Sequence, residues 1–220
     1  MTTSPELALY YAPGACSQVV HIALEELEWS FSAHALDLMA GQHKTPEYLA
    51  INPLGKVPTL VVDGAPLTEV LAIVRWLDAA RPGILIPDRG ADAMAGARDW
   101  SVLCWWSATV QPVFTRFRVP PAIIGDPAQF GAVASHAAPV LRQFFAHAAQ
   151  ILSDKEWLLG FYSVADLFAA WLWSDATRAG FDTQAFPALE KLRGRVHARP
   201  AAQRALAREN AALLRFQKIS

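Results

Sequence analysis

Two short segments near the N-terminus constrain this chain more than the rest of its sequence. Residues 11–17 read YAPGACS and residues 52–60 read NPLGKVPTL. The first segment lies between a β-prone run and a helical pattern, so a strand should end and a helix begin near Cys16 and Ser17. The second segment places Pro58 at the start of an apolar strand, where a residue without a ladder N–H is tolerated.

The position of Cys16 and Ser17 supports two interpretations. A first helical turn exposes free N–H groups and the positive end of the helix dipole, which favour an anion and lower the pKa of a thiol. Cys16 is then a reactive thiol, with Ser17 as a hydrogen-bond donor to a thiolate. In the other interpretation Cys16 is a small buried hydrophobe and Ser17 is a helix cap.

Two further elements carry open alternatives. If the bond before Pro58 is cis, the main chain of Val57 turns toward the neighbouring helix start; if it is trans, Pro58 is an ordinary turn proline. Farther along, Thr68 is expected to cap a second helix. Glu69 and the free N–H groups of that first turn would hold an ammonium and a carboxylate, unless Glu69 only complements the helix dipole.

The chain changes character after about residue 81. Before it, short strands alternate with helices, which predicts an α/β unit, and after it the pattern is almost wholly helical. The sequence therefore predicts a domain over residues 1–81 and an all-helical domain over 92–220. The helical part is expected to contain long helices over 91–119 and 127–152, a buried helix from Ser163 closed by Asp166 as in a capping box, and short helices at Pro187 and Pro200.

The order and spacing of these motifs resemble the glutathione-transferase family. The motif residues are 11–17, 52–60 and 67–73, and PGACS at 13–17 resembles the family's bacterial beta class. Residues 163–166 resemble its capping box and 199–206 its C-terminal helix pattern, so the resemblance covers nearly the whole chain. It implies a thioredoxin-like N-terminal domain that binds glutathione and a helical C-terminal domain that forms the electrophile site.

The resemblance also implies a role for several residues. Cys16 matches the cysteine that lies beside the glutathione sulfur and can form a mixed disulfide with it. Val57 matches the residue whose main chain pairs with the cysteinyl unit, and Pro58 matches the cis-proline. Glu69 matches the acid that meets the γ-glutamyl ammonium, and Val70 stands where many relatives have serine, so only its N–H can serve the γ-glutamyl carboxylate.

Three basic residues resemble positions near the glycine carboxylate of glutathione. Lys56 is the clearest of them, and His43 and Lys44 are the others. For His43 and Lys44 the alternative is a solvated loop.

A face of the first long helix is expected to line an apolar acceptor site. Trp106, Thr109, Val113 and Phe117 recur at steps of three and four residues, which places them together on an α-helix. Thr109 stands about where the beta class carries a histidine, and residues 109–113 contain none. The general base or thiolate partner expected there is therefore missing or replaced.

Composition excludes several other classes. A net charge of −1 gives no electrostatic case for nucleic acid, and no apolar run approaches the roughly 20 residues that span a bilayer. Two cysteines without a Cys-x-x-Cys motif argue against a disulfide framework or a zinc site, and they fit a reducing cytoplasm. No metal is expected, and the resemblance implies a homodimer.

These observations predict a cytoplasmic detoxification enzyme, a glutathione transferase that conjugates reduced glutathione to hydrophobic electrophiles. Thiol–disulfide exchange through Cys16 is a possible second chemistry. One alternative is a specialised glutathione-dependent thiol reductase, isomerase or dehalogenase. The other is a non-catalytic module that binds glutathione or another ligand.

Overall fold

The computed structural model describes residues 5–219, which form two compact units. One unit comprises the chain up to Leu85 together with the segment from His197 onward, and the other is Ile86–Val196. The outermost ends of the predicted domains, at residues 1–4 and 220, lie outside the described residues.

The first unit is built on a mixed sheet. Its elements are β1 (Leu7–Tyr11), α1 (Ser17–Glu26), β2 (Ser32–Ala35), α2 (Pro46–Ile51), β3 (Thr59–Val62), β4 (Ala65–Thr68), α3 (Val70–Ala80) and α9 (Pro200–Ile219), with a 3-10 turn at Gln42–Lys44. Within the described chain the strand order is β2-β1-β3-β4. The predicted α/β, thioredoxin-like architecture is confirmed.

The pairing of the strands brings three chain segments to the same end of the sheet. β1 and β2 are parallel, whereas β3 runs antiparallel to both β1 and β4. Tyr10 lies opposite Thr59, and Thr59 lies opposite Thr68. The end of β1, the start of β3 and the end of β4 are therefore neighbours, and α1 and α3 begin from this edge.

Helix α9 packs on α1, although the sequence placed it with the helical domain. Its buried residues Ala201, Ala202 and Ala205 are small and allow close approach. Two ion pairs hold this part of the chain on α1: Arg199, directly before α9, pairs with Glu26 at 2.6 Å, and Arg204 of α9 pairs with Glu25 at 2.5 Å. At 20 residues, α9 is also longer than the short helix predicted at Pro200.

The second unit is all-helical, as predicted. Its elements are α4 (Ala93–Cys104), a π-helical segment (Trp105–Val110), α5 (Gln111–Arg118), α6 (Phe130–Ile151), α7 (Val164–Arg178) and α8 (Pro187–His197), the last residue of α8 belonging to the first unit. The segment from Ala93 to Arg118 is continuous, so the predicted first long helix is present. Pro112 lies two residues after the π-helical segment, in the first turn of α5, where its missing N–H removes a normal i→i−4 bond.

The predicted capping box at the start of α7 is present. The main-chain N–H of Ser163 donates to Asp166 Oδ2 at 2.8 Å, its hydroxyl donates to the same oxygen at 3.1 Å, and the Leu158 N–H donates to Oδ1 at 2.9 Å. Burial nevertheless raises the pKa of Asp166 from 3.8 to about 6, because it outweighs these three donors. The carboxyl is therefore structural and titrates within an accessible pH range.

The raised pKa predicts how stability depends on pH. Between about pH 4 and 6 the folded protein binds the Asp166 proton more tightly than the unfolded chain, so this group's contribution to the free energy of unfolding falls as pH rises. Asp166→Asn does not titrate, and its single side-chain oxygen cannot serve all three donors. We expect the variant to be less stable by about 1–3 kcal/mol, with the gap narrowing from pH 4 to 6.

Urea unfolding of both proteins across this range measures the gap. Asp182→Asn is the control, because Asp182 is exposed and its pKa is lowered by Arg142, so it titrates below the window. A gap that widens with pH would mean that the three donors outweigh burial and that the folded protein prefers the carboxylate.

Candidate functional site

Cys16 stands at the junction between β1 and α1, as predicted. It is the N-cap residue of α1 and is half-buried. Its Sγ donates to the Val57 carbonyl oxygen at 3.4 Å, which joins the segment after β1 to the segment before β3. The thiol therefore lies at the positive end of a helix, against a main-chain carbonyl.

Ser17 is fully buried and faces the main chain. Its hydroxyl accepts from the Ala12 N–H at 3.1 Å and donates to the Ala12 carbonyl at 3.2 Å. These bonds close the turn between β1 and α1. The geometry supports the interpretation of Ser17 as a structural residue that holds the main chain at the helix start. Its role as a hydrogen-bond donor to a thiolate stays a prediction.

The Val57–Pro58 peptide bond is cis, the alternative that the resemblance implied. Val57 is half-buried and Pro58 is buried at the start of β3. Since the Val57 carbonyl meets Cys16 Sγ, these residues are brought together as predicted.

Glu69 and Val70 begin α3 at the same end of the sheet. Glu69, rather than the predicted Thr68, is the N-cap residue, and Thr68 is the last residue of β4. Glu69 has a φ of 69°, a conformation that non-glycine residues rarely adopt and that is concentrated at functional sites. The Glu69 side chain is exposed, whereas Val70 is buried and offers a ligand only its main chain.

The three basic residues lie around one loop. Lys44 Nζ donates to the Leu54 carbonyl at 3.3 Å, and Lys56 is exposed two residues farther along. Gly55 between them has a φ of 58°, and a Cβ there would stand 2.7 Å from both the His43 carbonyl and Lys44 Nζ. Only glycine fits this close approach, which holds the segment around Lys44 against the segment that carries Lys56.

His43 differs from the two lysines in charge. Burial, followed by the positive charge of Lys44, lowers the pKa of His43 below 6.5. The imidazole is therefore neutral at pH 7. The cationic side chains of this loop at that pH are Lys44 and Lys56.

Sequence reasoning missed Glu209, a buried carboxylate on α9. Its Oε2 accepts from the Gly14 N–H and from Gln18 Nε2, both at 2.9 Å, and its Oε1 lies 3.2 Å from His21 Nδ1. Since a carboxylate only accepts, His21 donates through Nδ1. Glu209 thus holds the loop that precedes Cys16. The only available signal was an acidic residue on an otherwise alanine-rich helical face.

The four predicted acceptor-site residues lie in the second unit and differ in exposure. Trp106 is fully buried, Thr109 is exposed, and Val113 and Phe117 are half-buried. Trp106 and Thr109 lie in the π-helical segment, whose wider turn changes the α-helical spacing between them, whereas Val113 and Phe117 lie in α5. The indole N–H of Trp106 has no hydrogen-bond partner among residues 5–219.

Two features are absent from residues 5–219. No group of His, Cys, Asp and Glu side chains in this range has a geometry that holds a metal ion. No helix in the same range combines the length and apolar character that crossing a membrane requires.

Comparisons with known proteins connect this geometry to a family. The model of the glutathione S-transferase N-terminal domain matches residues 14–80. Glutathione S-transferase GST-4.5 of Xanthomonas campestris pv. campestris is 31% identical over 92% of this chain and 98% of its own length. The chain belongs to the glutathione S-transferase family.

Other full-length relatives in the family differ in activity. Maleylacetoacetate isomerase maiA of Aspergillus fumigatus is 29% identical, over 93% of this chain and 91% of its own. The disulfide-bond oxidoreductase YfcG of Escherichia coli is also 29% identical, over 90% and 93%. Family membership therefore leaves the specific reaction open.

Solved structures agree with the fold. A glutathione S-transferase from Xylella fastidiosa has a TM-score of 0.83 at 30% identity, covering 93% of this chain and 99% of its own. A beta class enzyme from Sphingomonas chungbukensis has a TM-score of 0.79 at 31% identity, covering 92% and 98%. A sphingomonad glutathione S-transferase complexed with glutathione reaches 0.80 at 30% identity with the same coverage. The resemblance to the bacterial beta class is confirmed.

The contacts of Glu209 generate a prediction about Cys16. Glu209→Ala leaves the Gly14 N–H, Gln18 and His21 without their buried acceptor, so we expect a loss of about 2–4 kcal/mol in the free energy of unfolding. Because the loop before Cys16 is then released, the rate at which iodoacetamide alkylates the Cys16 thiol should also change by several-fold. Urea unfolding and mass spectrometry measure the two effects.

Asn210→Ala is the matched control, since Asn210 is the exposed neighbour of Glu209 on the same helix. Cys104 on the second unit serves as an internal reference for alkylation. If the Glu209→Ala variant is less stable but its Cys16 is alkylated at the wild-type rate, the carboxylate supports the fold without positioning the thiol.

Proposed function

We propose that this chain is a glutathione transferase that binds reduced glutathione at the sheet edge where α1 and α3 begin. The observation that carries the proposal is the convergence of three segments there: Cys16 after β1, Val57 before β3 and Glu69 after β4. Each supplies a different group, namely a thiol at a helix start, an extended main chain and a carboxylate beside free N–H groups.

The charges of the site fit the charges of glutathione. The ligand carries one ammonium and one carboxylate on its γ-glutamyl unit and a second carboxylate on its glycine. Glu69 would meet the ammonium, and the N–H of Val70 would meet the adjacent carboxylate. Lys56 and Lys44 would approach the glycine carboxylate, with neutral His43 contributing at most a hydrogen bond.

In the proposed reaction the chain mainly orients the glutathione sulfur. Pairing with the Val57 main chain places that sulfur at the start of α1, where the helix dipole favours the thiolate. The thiolate forms a bond to an electrophilic carbon, while the thiol proton passes to solvent and any leaving group departs with its electron pair. Because residue 109 is threonine, the second unit supplies no histidine there to take the proton.

Thiol–disulfide exchange is the second candidate reaction. The half-buried Cys16 Sγ at the helix start favours it, and YfcG is a relative with this type of activity. The Cys16 thiolate would attack one sulfur of glutathione disulfide, forming a mixed disulfide and releasing one glutathione thiolate, so no outside oxidant is needed. Isomerisation, the activity for which the relative maiA is named, belongs to the alternative of a specialised glutathione-dependent enzyme.

Calorimetric titration with reduced glutathione tests the proposal, and Cys16→Ala separates the two reactions. We expect wild type to bind in the micromolar to low-millimolar range. Cys16→Ala should lose at least a hundredfold in disulfide exchange and less than about tenfold in conjugation, since only exchange needs a second sulfur. Cys104→Ala controls for the other thiol. Absence of glutathione binding by wild type would contradict the proposal and favour a non-catalytic module.

A second variant tests the proposed electrophile site of Trp106, Thr109, Val113 and Phe117. Val113 is half-buried, so Val113→Ala removes apolar surface without opening the core. We expect kcat/KM to fall several-fold for bulky apolar electrophiles and less for small ones, with the glutathione Kd unchanged. A change in glutathione Kd instead would move Val113 out of the electrophile site. The homodimer, the cytoplasmic location and a role in detoxification stay predictions.

A further inference from the structure

A closed polar network lies behind the Lys56–Val57 main chain. Tyr48, Asn52 and Thr59 are buried, with exposed fractions of 3%, 1% and 0%. The Tyr48 hydroxyl and Asn52 Nδ2 both reach the Lys56 carbonyl, the latter at 2.8 Å. The Tyr48 oxygen lies 2.9 Å from Thr59 Oγ1, and Asn52 Nδ2 lies 3.0 Å from that same oxygen.

The hydrogens of this network can be assigned from chemistry. Burial raises the pKa of Tyr48 above 10, so its phenol keeps its proton and donates it to the Lys56 carbonyl. Thr59 must then donate to the Tyr48 oxygen, and the two Asn52 amide hydrogens go to Lys56 and Thr59. Asn52 Oδ1 accepts from the Leu54 N–H at 3.1 Å. Each of these buried side chains is thereby satisfied.

The network holds the chain on both sides of Val57–Pro58. Lys56 precedes this pair and receives two donors on its carbonyl, while Thr59 follows it as the first residue of β3. Thr59 is also paired with Thr68, the residue before Glu69. A shift of Thr59 would therefore move both the main chain of Val57 and the start of α3.

We propose that Tyr48, Asn52 and Thr59 are positioning residues that set the affinity for glutathione through the Lys56–Val57 main chain. This inference rests on the function proposed above. The side chains need not touch the ligand. They fix the direction of the peptide groups with which a peptide ligand would pair. They also hold the main chain of Lys56 next to those peptide groups.

The expected change in the glutathione Kd is set by the free energy that one buried hydrogen bond contributes. Thr59→Val keeps the shape of the side chain but removes the hydroxyl, which leaves Asn52 Nδ2 and the Tyr48 oxygen each without one partner. We expect the Kd of glutathione to rise about three- to tenfold. The value of kcat at saturating glutathione should change less than twofold, since the reacting atoms are not touched.

The conservative variant Thr59→Ser separates positioning from stability. It keeps the hydroxyl and loses a buried methyl group, so it should be less stable than wild type while binding glutathione with nearly the wild-type Kd. Tyr48→Phe, which loses its donor to Lys56, should weaken binding as Thr59→Val does. Thr177→Val in the second unit is the control for loss of a threonine hydroxyl elsewhere, because it removes a hydrogen bond of 2.8 Å to the Trp173 carbonyl far along the chain from this loop.

Calorimetry and urea unfolding on the same five proteins decide the matter. The proposal holds if the glutathione Kd is raised in Thr59→Val and Tyr48→Phe, which lack a hydroxyl of the network, and stays near the wild-type value in Thr59→Ser and Thr177→Val. It is overturned if the glutathione Kd of the variants rises in proportion to their loss in free energy of unfolding, whether or not the hydroxyl is present. It is also overturned if Thr59→Val binds glutathione as wild type does. Failure of wild type to bind glutathione would overturn both this inference and the proposed function, whereas the other outcomes leave the proposed function standing.

Discussion

The first unit depends on a carboxylate that is buried beneath its first helix. A carboxylate removed from water is tolerated only where donors surround it, and Glu209 has the Gly14 N–H, Gln18 and His21. These donors come from the loop before Cys16 and from α1, whereas the acceptor comes from the last helix of the chain. The loop conformation at the N-terminus is therefore tied to a residue almost 200 positions away.

The candidate site is built mainly from main-chain groups. Cys16 meets a carbonyl, Val57 and Val70 present main chain, and the start of each helix supplies free N–H groups. Side chains such as Ser17, Tyr48 and Asn52 hold this main chain from behind. A site of this type is specified by turns and strand register, so its geometry can be kept while many of its side chains change.

This construction explains what could be predicted from the sequence. The helix start at Cys16 and the capping box of Asp166 depend on neighbours in the chain, and both structural predictions are confirmed. The residues around Pro58 leave cis and trans open, and only the family resemblance implied the cis bond that is observed. Glu209 makes its contacts through tertiary packing, which no local pattern reports. The π-helical segment over Trp105–Val110 is a local feature that helical periodicity did not predict, and it changes the angle between Trp106 and Thr109 on the expected acceptor face. The functional roles of all these residues remain predictions.

The charge distribution of the loop around Gly55 bears on how a ligand is recognised. The neutral imidazole of His43 adds no charge. Lys44 Nζ donates to the Leu54 carbonyl, so in this contact its partner is a neutral oxygen and not a carboxylate. An anionic ligand group would therefore meet an ammonium that is held in place by a neutral oxygen, which screens it less than an acidic side chain would. On another segment, Glu69 is exposed on a strained main chain at the start of α3. Opposite charges thus stand on separate segments of the first unit. If glutathione binds as proposed, an extended ligand with an anion at one end and an amino-acid group at the other meets both charges, whereas a small anion meets only one.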